Sequence, residues 1–143
     1  MSPGALTMVA DGLLELHGEQ PRLIGTRCTA CGSLYYPQAL SCRNPGCREK
    51  TIERAMLPTH GVLISYTVQR YQPPALFRID DWKPYAIGLV DIGDGLEVMG
   101  MLSGFALDAI AIGSRVRLVV EPLYIDAARG PVLTYKFAPE TAA

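Results

Sequence analysis

Residues 28–47 read CTACGSLYYPQALSCRNPGC, and this stretch holds all four cysteines of the 143-residue chain. Two residues separate Cys28 from Cys31, four separate Cys42 from Cys47, and ten lie between the pairs. Two close cysteine pairs joined by a short hairpin can bring four thiolates onto one tetrahedral ion, at about 2.3 Å for zinc. Gly32 fits a turn whose backbone amides point back at the sulfurs, and Asn44-Pro45-Gly46 makes the equivalent turn in the wider second pair. The expected ligands are therefore Cys28, Cys31, Cys42 and Cys47, and the expected ion is Zn²⁺. A rubredoxin-type iron site uses the same ligand set and stays open on spacing alone. Four thiolates saturate the ion, so such a site is structural rather than catalytic. His60 lies near the end of this module, but with four cysteines at hand it reads as a solvent-facing residue at a strand start.

Working outward from the cysteines, residues 1–22 form a polar lead-in. Leu13, Leu14 and Leu16 there fit one turn of amphipathic helix, stopped by Gly18 and Pro21. Residues 23–56 form the expected zinc ribbon. It holds only two short apolar pieces, Leu34-Tyr35-Tyr36 and Ile52 to Met56, too little to fold without the free energy of metal binding.

From residue 57 to 143 the texture changes to strands. In Val62 to Gln69 the residues Val62, Ile64, Tyr66 and Val68 alternate with Ser65, Thr67 and Gln69, a period of two rich in β-branched and aromatic side chains. Tyr85 to Ile92 and Leu96 to Leu102 read as a hairpin, because Gly93-Asp94-Gly95 supplies the positive φ of a tight turn. Phe105 to Ile110 reads as a short helical turn ending near Gly113. In Arg115 to Tyr124, Val116, Leu118 and Val120 point inward. A last strand opens at Gly130-Pro131, closes at Pro139 and places Leu133, Tyr135 and Phe137 inside. Five strands with a short helix between the third and fourth give the element order of an OB-fold barrel, with a five-stranded SH3-like barrel as the competing arrangement. The fold class is thus mostly β, a rubredoxin-like ribbon followed by a barrel.

Several function classes fall away. Thirteen Lys and Arg against 14 Asp and Glu leave a net charge of -1, without the positive surplus that phosphate neutralisation draws on. No run approaches the roughly 20 apolar residues that span a bilayer. No Lys or Arg precedes Arg22, and Asp11 and Glu15 stand where a signal peptide would be apolar. The expectation is a cytoplasmic protein without a membrane partner, in a compartment where clustered cysteines hold metal. With the thiols committed to a metal, the chain offers no catalytic constellation. The 14-residue segment 71–84, YQPPALFRIDDWKP, is the exception to the compact texture. Loops of this length in compact domains are commonly functional. Tyr71, Phe77 and Trp82, with Arg70 and Arg78, have the residue types of interface anchors, so the loop covers a partner or ligand or else plugs the barrel mouth.

These pieces together resemble the acyl-CoA-associated zinc-ribbon/OB-fold family. The resemblance rests on LIGTRCTACG at 23–32, Tyr36-Pro37, the second knuckle at 42–47, GVLISYTVQ at 61–69 and Pro73-Pro74. It continues in PYAIGLV at 84–90, Ile112-Gly113 and YKFAP at 135–139. It runs in order over residues 22–139, and the widened second knuckle is similar to that of a free-standing subgroup. The resemblance implies a noncatalytic subunit that docks on a thiolase-type catalytic subunit and helps form or cover a site for coenzyme A or an acyl-CoA. It makes Arg70, Arg78 and Lys83 the candidate donors to CoA phosphates, beside Tyr71, Phe77 and Trp82. From a different class, an OB barrel with a structural zinc also suits a small single-stranded nucleic-acid binder, which the missing basic surplus disfavours.

Overall fold

The computed structural model of the chain describes residues 7–8, 12–17, 20–71, 82–93 and 95–140. Ten strands appear among them: β1 (Thr7–Met8), β2 (Leu14–His17), β3 (Gln20–Cys28), β4 (Leu34–Tyr35), β5 (Ile52–Met56), β6 (His60–Gln69), β7 (Tyr85–Asp91), β8 (Glu97–Leu102), β9 (Arg115–Asp126) and β10 (Gly130–Pro139). The described residues contain no helix, and so none long and apolar enough to cross a membrane.

Strands β6 to β10 close a five-stranded barrel. β6 pairs with β7, β7 with β8 and β10 with β9, all antiparallel; β8 runs parallel to β10, and β9 returns antiparallel to β6. This 1-2-3-5-4-1 closure is the OB arrangement and decides against the SH3-like alternative. The β7–β8 hairpin follows from its turn. Gly93 and Gly95 both have positive φ, Ile92 N–H donates to Leu96 O at 3.1 Å, and Leu96 N–H donates to Gly93 O at 3.0 Å. Along β7, Ala86, Gly88 and Val90 are buried while Tyr85, Ile87 and Leu89 are only half-buried; Val98, Gly100 and Leu102 repeat the alternation in β8. Gly88 and Gly100 lie opposite each other where the interior is tightest. A Cβ on Gly88 would sit 2.7 Å from side-chain carbons of Leu102 and Leu63, and one on Gly100 would sit 2.9 Å from the rings of Phe137 and Tyr135.

Two faces differ from the expected parity, each at a register slip. In β6 the pairing shifts between Leu63 and Ser65, so Ile64 is an extra residue in a bulge. Leu63 is fully buried, Tyr66, read on the same face as Val68, is exposed, and Val68 packs on the core. In β10 the register slips between Val132 and Leu133, and Leu123 of β9 is left without a partner. Val132 takes the inner place and Leu133 stays half-buried at the surface, although Tyr135 and Phe137 do pack on the core.

Both expected helical turns are absent. Leu14–His17 is a strand, paired antiparallel with Gln20–Leu23. Leu14 is buried and Glu15 reaches the other way to an ion pair with Arg54, a period of two that four residues cannot distinguish from a helical turn. The β2–β3 hairpin therefore belongs to the ribbon sheet, and the expected boundary at residue 22 falls inside β3. Between β8 and β9, Phe105 to Ile110 makes one turn hydrogen bond, Ala109 N–H to Ala106 O at 2.9 Å. Phe105, Leu107 and Ile110 pack against the core from this turn, which gives the segment a packing role without a helix.

The ribbon is not a separate body of apolar contacts. Leu14, Leu23 and Leu34 belong to one buried cluster with Leu63, Val90, Val98, Val116 and Phe137 of the barrel, and Leu57 of the connection lies in the same cluster. Each fully buried Leu of this kind contributes roughly 1.5–3 kcal/mol of transfer free energy. Tyr36 packs edge-on against Tyr135 at 5.9 Å between ring centres, and Tyr135 against Phe137 at 6.1 Å. Arg22 Nε donates to Leu57 O at 3.0 Å, tying β3 to the start of the barrel segment.

Candidate functional site

β3 ends on Cys28, and β4 and β5 pair on either side of its last turn of sequence, Arg27 to Leu34 and Cys28 to Ile52. This brackets the cysteine loops. The four Sγ atoms lie within 4.8 Å of one another, with Cys28 to Cys47 at 3.7 Å and Cys31 to Cys42 at 3.6 Å. Thiolates about 2.3 Å from a central ion in a tetrahedron are about 3.8 Å apart, so both separations fit one metal. They are too long for disulfides, and all four cysteines are free. Cys28, Cys42 and Cys47 are buried and Cys31 is exposed.

Groups around Cys31 and Cys42 support the thiolate form. The Ser33 hydroxyl lies 3.2 Å from Cys31 Sγ, and with the Ser33 backbone N–H it brings that thiol down to about 6. Tyr35 OH stands 3.3 Å from Cys42 Sγ, and Asn44 N–H donates to the same sulfur at 3.5 Å; together they lower the Cys42 thiol. At Cys47 the backbone N–H of Lys50 acts in the same direction, but burial and the neighbouring sulfurs outweigh it and raise that thiol to about 11. The Tyr35 hydroxyl is itself held by a bond from Arg43 N–H at 2.7 Å, and the Arg43 guanidinium lies 5.7 Å from the Tyr35 ring centre. Lys50 closes the second knuckle, its Nζ donating to Cys42 O and Asn44 O, each at 3.0 Å.

Both turns form as read. Asn44-Pro45-Gly46 turns as read: Gly46 N–H donates to Asn44 Oδ1 at 3.0 Å and Cys47 N–H to Asn44 O at 3.0 Å. Gly32 has the positive φ of a turn and its N–H donates to Cys28 O at 2.8 Å, while the amide that points back at a sulfur, Cys31 Sγ, is that of Ser33. Ser33, Tyr35 and Lys50 were not legible as parts of the site, since Tyr35 reads only as the middle of the apolar piece Leu34-Tyr35-Tyr36. His60 is exposed at the start of β6, with Nδ1 3.0 Å from Thr59 Oγ1.

The other candidate residues flank one gap. Gln69 of β6 pairs with Tyr85 of β7, so Arg70 and Tyr71 leave the barrel beside the place where Trp82 and Lys83 return. Arg70 and Lys83 are exposed, and Tyr71 is 81% exposed. Trp82 is half-buried, its Nε1 enclosed without a hydrogen-bond partner. Phe77 and Arg78 lie outside the described residues.

A tetrathiolate ribbon whose apolar residues run into a closed five-stranded barrel defines the class: a zinc-ribbon/OB-fold protein with a structural zinc site. Bound there, zinc cross-links the two knuckles and is coordinatively closed by its four thiolates. Family models match in tandem, the ChsH2 rubredoxin-like zinc ribbon domain over residues 17–53 and the ChsH2 C-terminal OB-fold domain over residues 55–121. The chain belongs to the DUF35 domain-containing scaffold proteins. It is 32% identical over 120 residues to a protein of that description from Methanocaldococcus jannaschii, covering 82% of this chain and 81% of the relative. It is 28% identical to the benzoylsuccinyl-CoA thiolase subunit BbsA of Thauera aromatica, over 92% of this chain and 88% of that one. Among solved structures it resembles a chain of the Ltp2-ChsH2(DUF35) aldolase, with a TM-score of 0.63 and 28% identity over 84% of this chain and 86% of the other.

Proposed function

We propose that this protein is a noncatalytic accessory subunit of a thiolase-like enzyme acting on acyl-CoA thioesters. The observation that carries the reading is the convergence of every thiol of the chain on one metal site. Thiolase chemistry needs a nucleophilic cysteine with acid and base partners, and a closed tetrathiolate leaves none free, so a second chain must supply it. The reading gains support from relatives described as scaffold proteins and as a thiolase subunit. In this proposal the barrel end carrying Arg70, Tyr71, Trp82 and Lys83, with the connecting Phe77 and Arg78, faces the catalytic subunit and covers its CoA site. Exposed arginine and lysine beside aromatic side chains suit the phosphates and adenine of coenzyme A. Free thiolates as ligands suit a reducing compartment, so the complex would work in the cytoplasm.

Co-expression with the thiolase-type subunits of its own genome is the test. The expected result is a hetero-oligomer whose thiolase activity depends on this chain. A chain that stays alone in solution beside a fully active thiolase would overturn the proposal. Within a complex, the double variant Arg70→Ala, Lys83→Ala should raise the KM for acyl-CoA about tenfold with little change in kcat, as loss of phosphate contacts predicts.

A further inference from the structure

A groove of about 530 Å³ opens between the β2–β3 hairpin and the outer surface of β9 and β10. It includes none of the cysteines and none of the residues from Arg70 to Lys83. His60, on its edge, begins β6, and Arg70 follows that strand's last residue, so the ten-residue strand sets the two places roughly 30 Å apart.

The groove has a distinct chemistry. Its half-buried residues Leu16, Val119 and Leu133 are apolar, and Leu133 lines it because the register slip in β10 leaves that side chain outside. Its exposed residues are polar: Gln20, His60 and Arg117. Among the described residues no carboxylate lines it, in a chain where acids outnumber bases by 14 to 13. Arg117 and His60 are register partners on adjacent antiparallel strands, which brings their side chains to the same place. Other cations on β9, on β10 and in the turn between them are engaged: Arg115 with Glu140 at 3.2 Å, Lys136 with Glu121 at 3.1 Å and Arg129 with Asp126 at 3.3 Å. Arg117 has no ion-pair partner among the described residues, and the Gln20 amide has no hydrogen bond among them. The Thr59 hydroxyl lies 3.0 Å from Nδ1 of His60, and Nε2 of that ring has no hydrogen bond among the described residues.

We propose that this groove binds an amphipathic anion, an apolar chain lying along Leu16, Val119 and Leu133 with its carboxylate or phosphate head between Arg117 and His60. The volume falls in the range of small-molecule sites, and an apolar wall with a few convergent polar groups is their usual make-up. The guanidinium supplies two parallel donors, which either head group accepts.

The test is titration of the isotope-labelled, metal-loaded full chain with decanoate, decyl phosphate and decanol, followed by amide chemical shifts and calorimetry. Saturable one-to-one binding of either anion is expected, with shifts at His60, Arg117, Val119 and Leu133 and about tenfold weaker binding of decanol. The tighter of the two anions identifies the head group. Arg117→Gln, an exposed position, should weaken the anions about tenfold and leave decanol, zinc content and melting temperature unchanged. Val119→Asp should weaken all three. Absence of saturable binding by both anions, equal affinity for decanol, or anion binding indifferent to Arg117→Gln would overturn the proposal.

Discussion

Around the metal site Tyr35 and Ile52 are, among the described residues, the apolar side chains packed against buried Cys28, Cys42 and Cys47, whereas the barrel strands share a continuous apolar cluster with Phe137, Leu63, Val90, Val98 and Val116 fully enclosed. The first region is held by the bonds of four thiolates to one ion. The second is held by area, which can be lost a methylene at a time. Leu14, Leu23 and Leu34 stand between the two, carried by the ribbon but buried with the barrel. The ribbon thus depends on metal at one end and on the barrel at the other, and the barrel depends on the ribbon only for part of its cover.

The contrast predicts its own failures. Chelation, or Cys28→Ser, should have the largest effect, because binding free energies of structural zinc are about 10–16 kcal/mol in zinc-finger peptides. Amide exchange should then lose protection over residues 24–56 while β6 to β10 keep theirs. Simultaneous collapse of both regions would break the comparison. Leu23→Ala comes next, at about 2–5 kcal/mol in urea denaturation, and should match Leu63→Ala if ribbon and barrel share a core. A cost below about 1 kcal/mol for Leu23→Ala alone would separate them.

Smaller effects sharpen the division. Gly100→Ala must displace the rings of Tyr135 and Phe137 and should cost about 1–3 kcal/mol, without touching zinc affinity measured by competition with a chromogenic chelator. Tyr35→Phe should do the reverse, lowering zinc affinity about tenfold to a hundredfold with the barrel's thermal unfolding unchanged. Glu121 gives the smallest effect. Partial burial pushes its carboxyl up, but the Ser103 hydroxyl, donating at 2.6 Å, and Lys136 outweigh this and hold it below its ordinary value. A carboxyl lowered on folding stabilises above its unfolded value and loses that contribution as the pH falls through its folded one. Glu121→Gln should therefore cost under about 1 kcal/mol at pH 7, and urea midpoints of variant and parent should converge in acid.

The legibility of the sequence follows the same division. The cysteine spacing gave the ligands because a tetrahedral ion imposes a distance that only certain loops satisfy. The Gly93–Gly95 hairpin was readable because positive φ restricts the residue type. Parity was readable in β9 but not across Ile64 or Leu133, because a bulge changes the face of the side chains on one side of it relative to the other and leaves no residue signature there. Leu13, Leu14 and Leu16 satisfy helical and strand periods equally over so few residues, and pairing with Gln20–Leu23 decided between them. Tyr35 could not be read as a sulfur partner because its hydroxyl meets Cys42 only after the ribbon closes. The pairing of His60 with Arg117 joins residues 57 positions apart and is set by barrel closure rather than by either local pattern.

β10 touches β1, β8 and β9, and it is the strand that closes the barrel. On the ribosome the metal ligands are complete once Cys47 has emerged, roughly ten seconds of synthesis before β10 follows at ordinary elongation rates. During that interval Leu14, Leu23 and Leu34 have no finished barrel to cover them. A stalled nascent chain ending before Gly130 should therefore retain zinc, leave its barrel amides unprotected and recruit apolar-binding chaperones, which release it only when the last strand is made.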